Sequence, residues 1–185
     1  MVRDQPFLVY APQCNADLGG CFGWSNPNHL PALDETLLEV RKLANVDDKH
    51  FYVTGESTGG EGAWRYAIHR PELVAALVSV ANTLVADTPE PDFYKNNICA
   101  MSQVATWAFH NGPDSLQPAD NSLYVVNKLS DCIPAPKFEP VLKLGADWMF
   151  NGSSHAGWVE VYGDKHGGTN AGYGSIYEWM LAHGR

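Results

Sequence analysis

The stretch FYVTGESTGGEGAW, from Phe51 to Trp64, constrains the fold more than any other part of the sequence. An apolar, β-branched run ends at Gly55, and one serine, Ser57, follows between that glycine and Gly59. Small and helix-compatible residues come directly after it. This order predicts a buried strand that turns sharply into a helix, with a single hydroxyl at the turn.

The rest of the chain alternates between strand-like and helix-like segments. Strand patterns lie within residues 6–12, 49–55, 72–82, 102–111 and 146–152, and helical patterns within residues 30–46, 59–70, 121–132 and 174–185. Such alternation predicts an α/β fold, with a mostly parallel sheet and helices on both of its faces. The length of 185 residues fits a single domain spanning 1–185. The long irregular stretches 82–101 and 151–175 are of the kind that often carry function.

The composition excludes several classes of partner. A net charge of −9 argues against a nucleic acid or an anionic membrane surface as the main partner. No apolar run is long enough for a transmembrane helix. No C-x-x-C pair is present, so a zinc site is not expected. The sequence makes no prediction about oligomeric state.

The four cysteines leave two interpretations open. Their spacing favours disulfides between Cys14 and Cys21 and between Cys99 and Cys132, whereas the alternative is four reduced, partly buried thiols. Disulfides would indicate an oxidising compartment. The N-terminus, MVRDQPFLVYAPQC, points the other way, because it lacks the apolar stretch and the cleavage site of a signal peptide.

The segment Gly55-Glu56-Ser57-Thr58-Gly59 fits the pattern G-x-S-x-G. A nucleophile on a sharp strand-to-helix turn has a strained backbone, and glycines on both sides remove clashes with the neighbouring strand and helix. The backbone N–H of Thr58 would face the oxyanion that develops during attack on a carbonyl. A glycine-rich helix cap without catalysis is the alternative interpretation.

A serine nucleophile needs a histidine base and a carboxylate that orients the histidine, in the chain order Ser, acid, His for this architecture. Asp114 follows the predicted strand ATWAFH, although it could also be a simple turn residue. His110 lies inside that strand and is predicted to be a structural support. His155 and His166 remain as candidate bases, because each could follow a strand, ADWMF for the first and WVEVY for the second.

Several longer segments resemble the α/β-hydrolase superfamily, and within it the bacterial carboxylesterases related to feruloyl esterases, polyester depolymerases and predicted peptidases. They are FLVYAPQC, FYVTGESTGGEGAWRYAIHRPELVAALVSVA, ATWAFHNGPD and IYEWML, which cover most of the chain in the right order. In such relatives the catalytic histidine ends a G-x-x-H turn, with a tryptophan three residues later and a tyrosine seven residues later. His155, followed by Trp158 and Tyr162, has this spacing, so the resemblance selects His155 over His166.

The chain departs from this family in two places. Residues 163–175 form a longer stretch than usual after the histidine. Relatives also carry strands ahead of FLVYAP, one of which ends in a His-Gly loop that supplies the second oxyanion donor. Without that strand the sheet would have a gap, so we expect either that the sequence is the C-terminal part of a longer protein or that FLVYAP pairs directly with HFYVT. A missing N-terminal segment would be consistent with a secreted or periplasmic protein.

The resemblance and the motif together predict a serine hydrolase that cleaves carboxylic esters with Ser57, His155 and Asp114, without metal or cofactor. The expected substrates are small-molecule or polysaccharide-linked esters, for which tryptophans offer apolar or sugar-stacking surfaces; Trp64, Trp107 and Trp179 are instead expected in the core. A peptidase with the same triad is one alternative. Another is an impaired remnant that acts as a binding module, because losing one oxyanion donor costs about a hundredfold in rate.

Overall fold

One parallel sheet organises the molecule in the computed structural model, which describes residues 6–13, 24–26, 28–83, 91–163 and 173–185. Its strands are β1 (Tyr52–Glu56), β2 (Ala76–Val80), β3 (Ala105–Asn111) and β4 (Val141–Gly145), in the spatial order β1-β2-β3-β4. All three pairings are parallel. The predicted parallel α/β architecture is therefore confirmed.

Helices cover both faces of this sheet. They are α1 (His29–Leu43), α2 (Thr58–His69), α3 (Pro91–Asn97), which leads into a 3-10 turn (Ile98–Met101), α4 (Asp120–Ser130), α5 (Trp158–Tyr162) and α6 (Ile176–Leu181). One core cluster joins α1, α2, α4 and the turn to sheet residues such as Leu77 and Ala108. The other joins α5 and α6 to Val78 and Trp107, on the opposite face. This division follows from the alternation of side chains along each strand.

The sequence predicts three buried tryptophans and one disulfide that the structure contains. Trp64, Trp107 and Trp179 are all buried, as expected. The predicted disulfide between Cys99 and Cys132 is also present, with Cα atoms 5.5 Å apart, and it joins the 3-10 turn to the end of α4. Cys14 and Cys21 lie outside the described residues. Within the described ranges, no helix is long and apolar enough to cross a bilayer.

The predicted first strand, residues 6–12, is wrong. Residues 6–13 form no strand, and Leu8 and Val9 are 64% and 66% exposed. Phe7 alone docks, with its ring 5.9 Å from that of Tyr52 and 6.0 Å from that of Tyr177. The segment does not pair with β1, so the direct pairing of FLVYAP with HFYVT is not observed. Prolines at both ends of the segment disfavour ladder pairing, since proline has no N–H to donate.

Two further assignments near the C-terminus are corrected. The last strand lies at Val141–Gly145, just before the predicted 146–152, where the chain instead turns and buries Trp148 against Gly145. The segment WVEVY, predicted as a possible strand before His166, is helix α5. Both segments are short apolar runs, for which strand and helix are hard to tell apart by pattern.

Candidate active site

Ser57 lies at the sharp turn between β1 and α2, as its sequence context predicts. Its backbone has φ 55° and ψ −120°, a conformation that residues with a side chain rarely adopt. The Ser57 N–H donates to the carbonyl of Val80 at 2.9 Å, and the Ser57 carbonyl accepts from the N–H of Glu61 at 3.1 Å. These bonds fix the turn between the sheet and the helix.

The glycines around Ser57 have different roles. A Cβ on Gly55 would overlap the backbone carbonyl of Gly59, and one on Gly60 would lie 3.1 Å from the carbonyl oxygen of Val80. A Cβ on Gly59 would meet nothing within 4 Å. The expected steric need for glycine is therefore found at Gly55, whereas the expectation for Gly59 is wrong. On the helix side the close contact is instead at Gly60.

The loops after β3 and β4 bring Asp114 and His155 to Ser57. The Nε2 atom of His155 lies 2.8 Å from Oγ of Ser57, and its Nδ1 atom lies 2.7 Å from Oδ2 of Asp114. The Asp114 side chain is fully buried, and that of His155 is 12% exposed. All three residues follow the carboxyl ends of parallel strands, which share one edge of the sheet. The three side chains form one continuous hydrogen-bonded chain.

The environment of Asp114 fixes its charge and, through it, the histidine tautomer. Burial acts to raise the pKa of Asp114, but hydrogen bonds from the Gln117 N–H, from His155 and from the Leu116 N–H lower it below its usual value. The ionised carboxylate can only accept a hydrogen bond, so Nδ1 of His155 carries the proton and donates it. Nε2 then presents its lone pair to the Ser57 hydroxyl, which is the arrangement that general-base catalysis requires.

His110 supports the loop that carries Asp114, as the sequence predicts for a structural histidine. It is fully buried, with Nδ1 2.8 Å from Oγ of Ser122 and Nε2 3.0 Å from the carbonyl oxygen of Gln117. Burial is the main cause that lowers the pKa of His110. A neutral ring that accepts from Ser122 and donates to Gln117 satisfies both nitrogens and anchors the turn.

Comparison with known proteins supports the fold. No protein-family model and no curated protein matches the chain. A solved structure of a thermostable esterase matches 86% of the chain at 21% identity and TM-score 0.67, and the match covers 38% of that protein. The uncomplexed Pyrococcus horikoshii acylaminoacyl peptidase matches 83% of the chain, and 30% of that protein, at 16% identity and TM-score 0.54.

A third structure, a putative dienelactone hydrolase from Klebsiella pneumoniae, matches 75% of the chain and 61% of its own length, at 16% identity and TM-score 0.52. The chain thus spans less than two thirds of each of these proteins. Their shared architecture agrees with the parallel sheet and its covering helices. The chain has an α/β-hydrolase fold.

In this α/β-hydrolase fold, the remaining predicted site residues are Thr58 and His166. Thr58 is exposed and begins α2, in the first turn, where backbone N–H groups have no partner within the helix. His166 lies outside the described residues. No group of three or more His, Cys, Asp or Glu residues in the described part of the chain could hold a metal ion.

Sequence reasoning missed Asn111, which holds the histidine loop of this hydrolase fold. Asn111 is buried at the end of β3, and its Nδ2 donates to the carbonyls of Trp148 and Ser154 at 2.9 and 2.8 Å. Its Oδ1 accepts from the Trp148 N–H at 3.2 Å. Ser154 directly precedes His155, so the Asn111 amide fixes the position of the backbone that carries the imidazole. The available signal was an asparagine at the end of a largely apolar strand.

Glu56 and Thr83 were also missed, and they lie beside His155 and Ser57. Oε1 of Glu56 is 3.4 Å from Nε2 of His155, the same nitrogen that faces Ser57. Oγ1 of Thr83 is 3.4 Å from Oγ of Ser57. Glu56 is the variable second position of G-x-S-x-G, where the motif itself carries no chemical expectation.

Proposed function

We propose that this chain is a serine hydrolase that cleaves carboxylic esters through an acyl-enzyme. Ser57 Oγ attacks the ester carbonyl while His155 Nε2 takes its proton. His155 then returns that proton to the oxygen of the leaving alcohol, and the ester C–O bond breaks. Water, activated by the same histidine, hydrolyses the acyl-serine and releases the acid. Asp114 holds the imidazole in the required tautomer and stabilises its cation.

The observation that carries this proposal is the hydrogen-bonded chain from Ser57 through His155 to Asp114, at 2.8 and 2.7 Å. Ser57 and His155, which this chain of hydrogen bonds joins, lie 98 positions apart in the sequence. The strained backbone of Ser57 also supports the proposal, because such conformations concentrate at functional sites. A glycine-rich helix cap would need neither the histidine nor the buried carboxylate.

Stabilisation of the tetrahedral oxyanion is assigned to the Thr58 N–H. Thr58 is the first residue of α2, a helix of 12 residues, so the positive end of the helix dipole also stabilises negative charge on the oxyanion. A backbone donor at the start of a helix after the nucleophile is the arrangement that acyl transfer uses.

The proposed substrates are esters with an apolar or aromatic group, either small molecules or acyl groups linked to a polysaccharide. Trp158 remains 41% exposed close to His155 in sequence, and its ring lies 6.1 Å from that of Phe150, which is 43% exposed. Exposed aromatic rings bind apolar groups and sugar faces. Trp148 is buried and is not available for this role.

A peptidase with the same triad is the second candidate, supported by the match to acylaminoacyl peptidase. Attack, oxyanion stabilisation and proton return would be the same for an amide, with an amine as the leaving group. Parallel assays of a p-nitrophenyl acyl ester and the matching p-nitroanilide separate the two functions. We expect the ester to be cleaved much faster.

The direct test is hydrolysis of p-nitrophenyl acetate by the wild-type chain and by Ser57→Ala. We expect the substitution to lower turnover by about a thousandfold or more, because it removes the nucleophile. Ser130→Ala is the matched control, since Ser130 is an exposed residue at the end of α4. Equal turnover by wild type and Ser57→Ala would refute the proposal, and turnover of neither ester nor anilide would favour the binding-module alternative.

A further inference from the structure

We infer that Glu56 makes the leaving-alcohol side of this site select esters that carry a positive charge over neutral or anionic ones. The inference rests on the proposed function, because it assigns a substrate class to the same Ser57–His155 site. It starts from one contact: Oε1 of Glu56 lies 3.4 Å from Nε2 of His155.

This contact locates Glu56 relative to the substrate. To receive the proton, the oxygen of the leaving alcohol must come within hydrogen-bond distance of Nε2, about 3 Å. Since Glu56 Oε1 is 3.4 Å from that nitrogen, the two oxygens can be no more than about 6.4 Å apart when the bond breaks. The carboxylate therefore borders the leaving group and not some remote part of the substrate.

The Glu56 side chain is 29% exposed, so it is neither sealed in the core nor fully screened by water. A charge a few ångströms away in such a setting interacts more strongly than it would in bulk solvent. A cationic group on the alcohol would be attracted and an anionic group repelled. At this separation the expected difference in kcat/KM between a cationic ester and its neutral isostere is about tenfold or more.

Protonation of Glu56 gives the selectivity a pH dependence. Burial is the main cause that raises the pKa of Glu56. The charge of His155 lowers this pKa, and the charge of Asp114 raises it. The preference for a cation is complete at pH values above this raised pKa, and it is lost as the pH falls through it. The loss occurs at a higher pH than for an ordinary exposed glutamate.

The other titratable groups around Glu56 do not produce this dependence. The pKa of Asp114 is lowered, so its charge stays constant over the same range. Tyr162, on α5, interacts electrostatically with Glu56, and burial raises its pKa to about 12, so it stays neutral. His155 is the base for both esters, so its contribution cancels in the ratio of their rates.

The test compares 3-(trimethylammonio)phenyl acetate with its neutral isostere, 3-tert-butylphenyl acetate. We expect wild type to prefer the cationic ester by about tenfold or more in kcat/KM at pH 8, and Glu56→Gln to lose about tenfold of that preference. Glu139→Gln is the matched control. It changes the net charge equally at an exposed residue just before the amino end of β4, at the opposite edge of the sheet, and should keep the wild-type ratio.

A second measurement uses wild type alone, in case Glu56→Gln fails to fold: the rate ratio of the cationic to the neutral ester should fall by about tenfold as the pH is lowered from 8 to 4. Turnover of both esters at a ratio near one, or a ratio unchanged in Glu56→Gln, would overturn the role of Glu56 and leave the hydrolase proposal standing. If wild type cleaves neither ester and a fluorophosphonate does not label Ser57, the proposed function fails and this inference fails with it.

Discussion

The backbone of Ser57 has a positive φ, and three hydrogen bonds hold it in that conformation. Its N–H donates to Val80, and its carbonyl accepts from the N–H groups of Glu61 and Thr83, at 3.1 and 3.3 Å. Such a conformation costs on the order of 1–3 kcal/mol and persists only where its surroundings enforce it. The bonds to β2, α2 and the segment after β2 provide that enforcement, and they keep the hydroxyl in reach of His155.

Gly55→Ala should destabilise the protein by at least about 2 kcal/mol, because the new Cβ would overlap the backbone carbonyl of Gly59 and neither segment can move freely. Urea unfolding followed by circular dichroism measures this change. The same substitution should also lower turnover of p-nitrophenyl acetate, since relief of the overlap shifts the turn that carries Ser57.

Gly59→Ala is the control for that prediction. Its Cβ would meet nothing within 4 Å, and the position is inside α2, so alanine should leave stability unchanged or raise it by up to about 1 kcal/mol. Equal losses for the two variants would contradict the steric account and would indicate that both glycines serve backbone freedom instead.

Single residues differ in how far the sequence reveals them. Ser57 and Asp114 were predicted because a motif and a fixed chain order point to them. His155 could be separated from His166 only by family resemblance. Glu56 could not be predicted, because a glutamate beside a serine has many ordinary explanations, and only its 3.4 Å distance from Nε2 of His155 distinguishes it.

At the scale of elements, the loop after β4 is the part that the sequence described least well. It carries His155 ten residues beyond the end of β4, and within it only the bridge between Phe150 and Ser153 resembles regular structure. Its position depends on the amide of Asn111, which bonds Trp148 and Ser154 from the neighbouring strand. No local pattern encodes a contact between residues about forty positions apart.

Asn111→Ala should lower the free energy of unfolding by about 2–4 kcal/mol, because it removes three hydrogen bonds to backbone groups of the buried residues Trp148 and Ser154. It should also lower kcat for p-nitrophenyl acetate by about ten- to a hundredfold, because His155 loses its fixed position. Urea unfolding and steady-state kinetics on the same preparation measure the two effects.

Asn127→Ala serves as its control, since Asn127 is exposed on α4 and should change stability by less than about 0.5 kcal/mol. A stability loss in Asn111→Ala with kcat unaltered would show that the amide supports the fold without positioning His155.

The elements that were predicted well have long, consistent patterns. The helix over residues 30–46 is found at His29–Leu43, and the segment around Ser57 is a strand and a helix as expected. The segments 6–12, 146–152 and 158–162 were mistaken because each is short and apolar. In such segments tertiary contacts, such as the docking of Trp148 on Gly145, decide the structure over local preference.

For the whole molecule, the parallel direction of the strands is what assembles the site. Because every strand runs the same way, the segments after β1, β3 and β4 meet at one edge, and residues 57, 114 and 155 come together there. The alternation of strands and helices predicted this class of fold. It did not predict that the segment 6–12 lies outside the sheet, because that depends on contacts with distant segments.

The most direct test of the account is reaction of the folded chain with a fluorophosphonate probe, located by peptide mass spectrometry. We predict a single adduct on Ser57 in wild type, none in Ser57→Ala, and labelling slowed at least about a hundredfold in His155→Ala, because only the activated hydroxyl reacts quickly with such a probe. Labelling of Ser57 at the wild-type rate in His155→Ala, or no labelling of the folded wild-type chain, would contradict the claim that His155 activates Ser57.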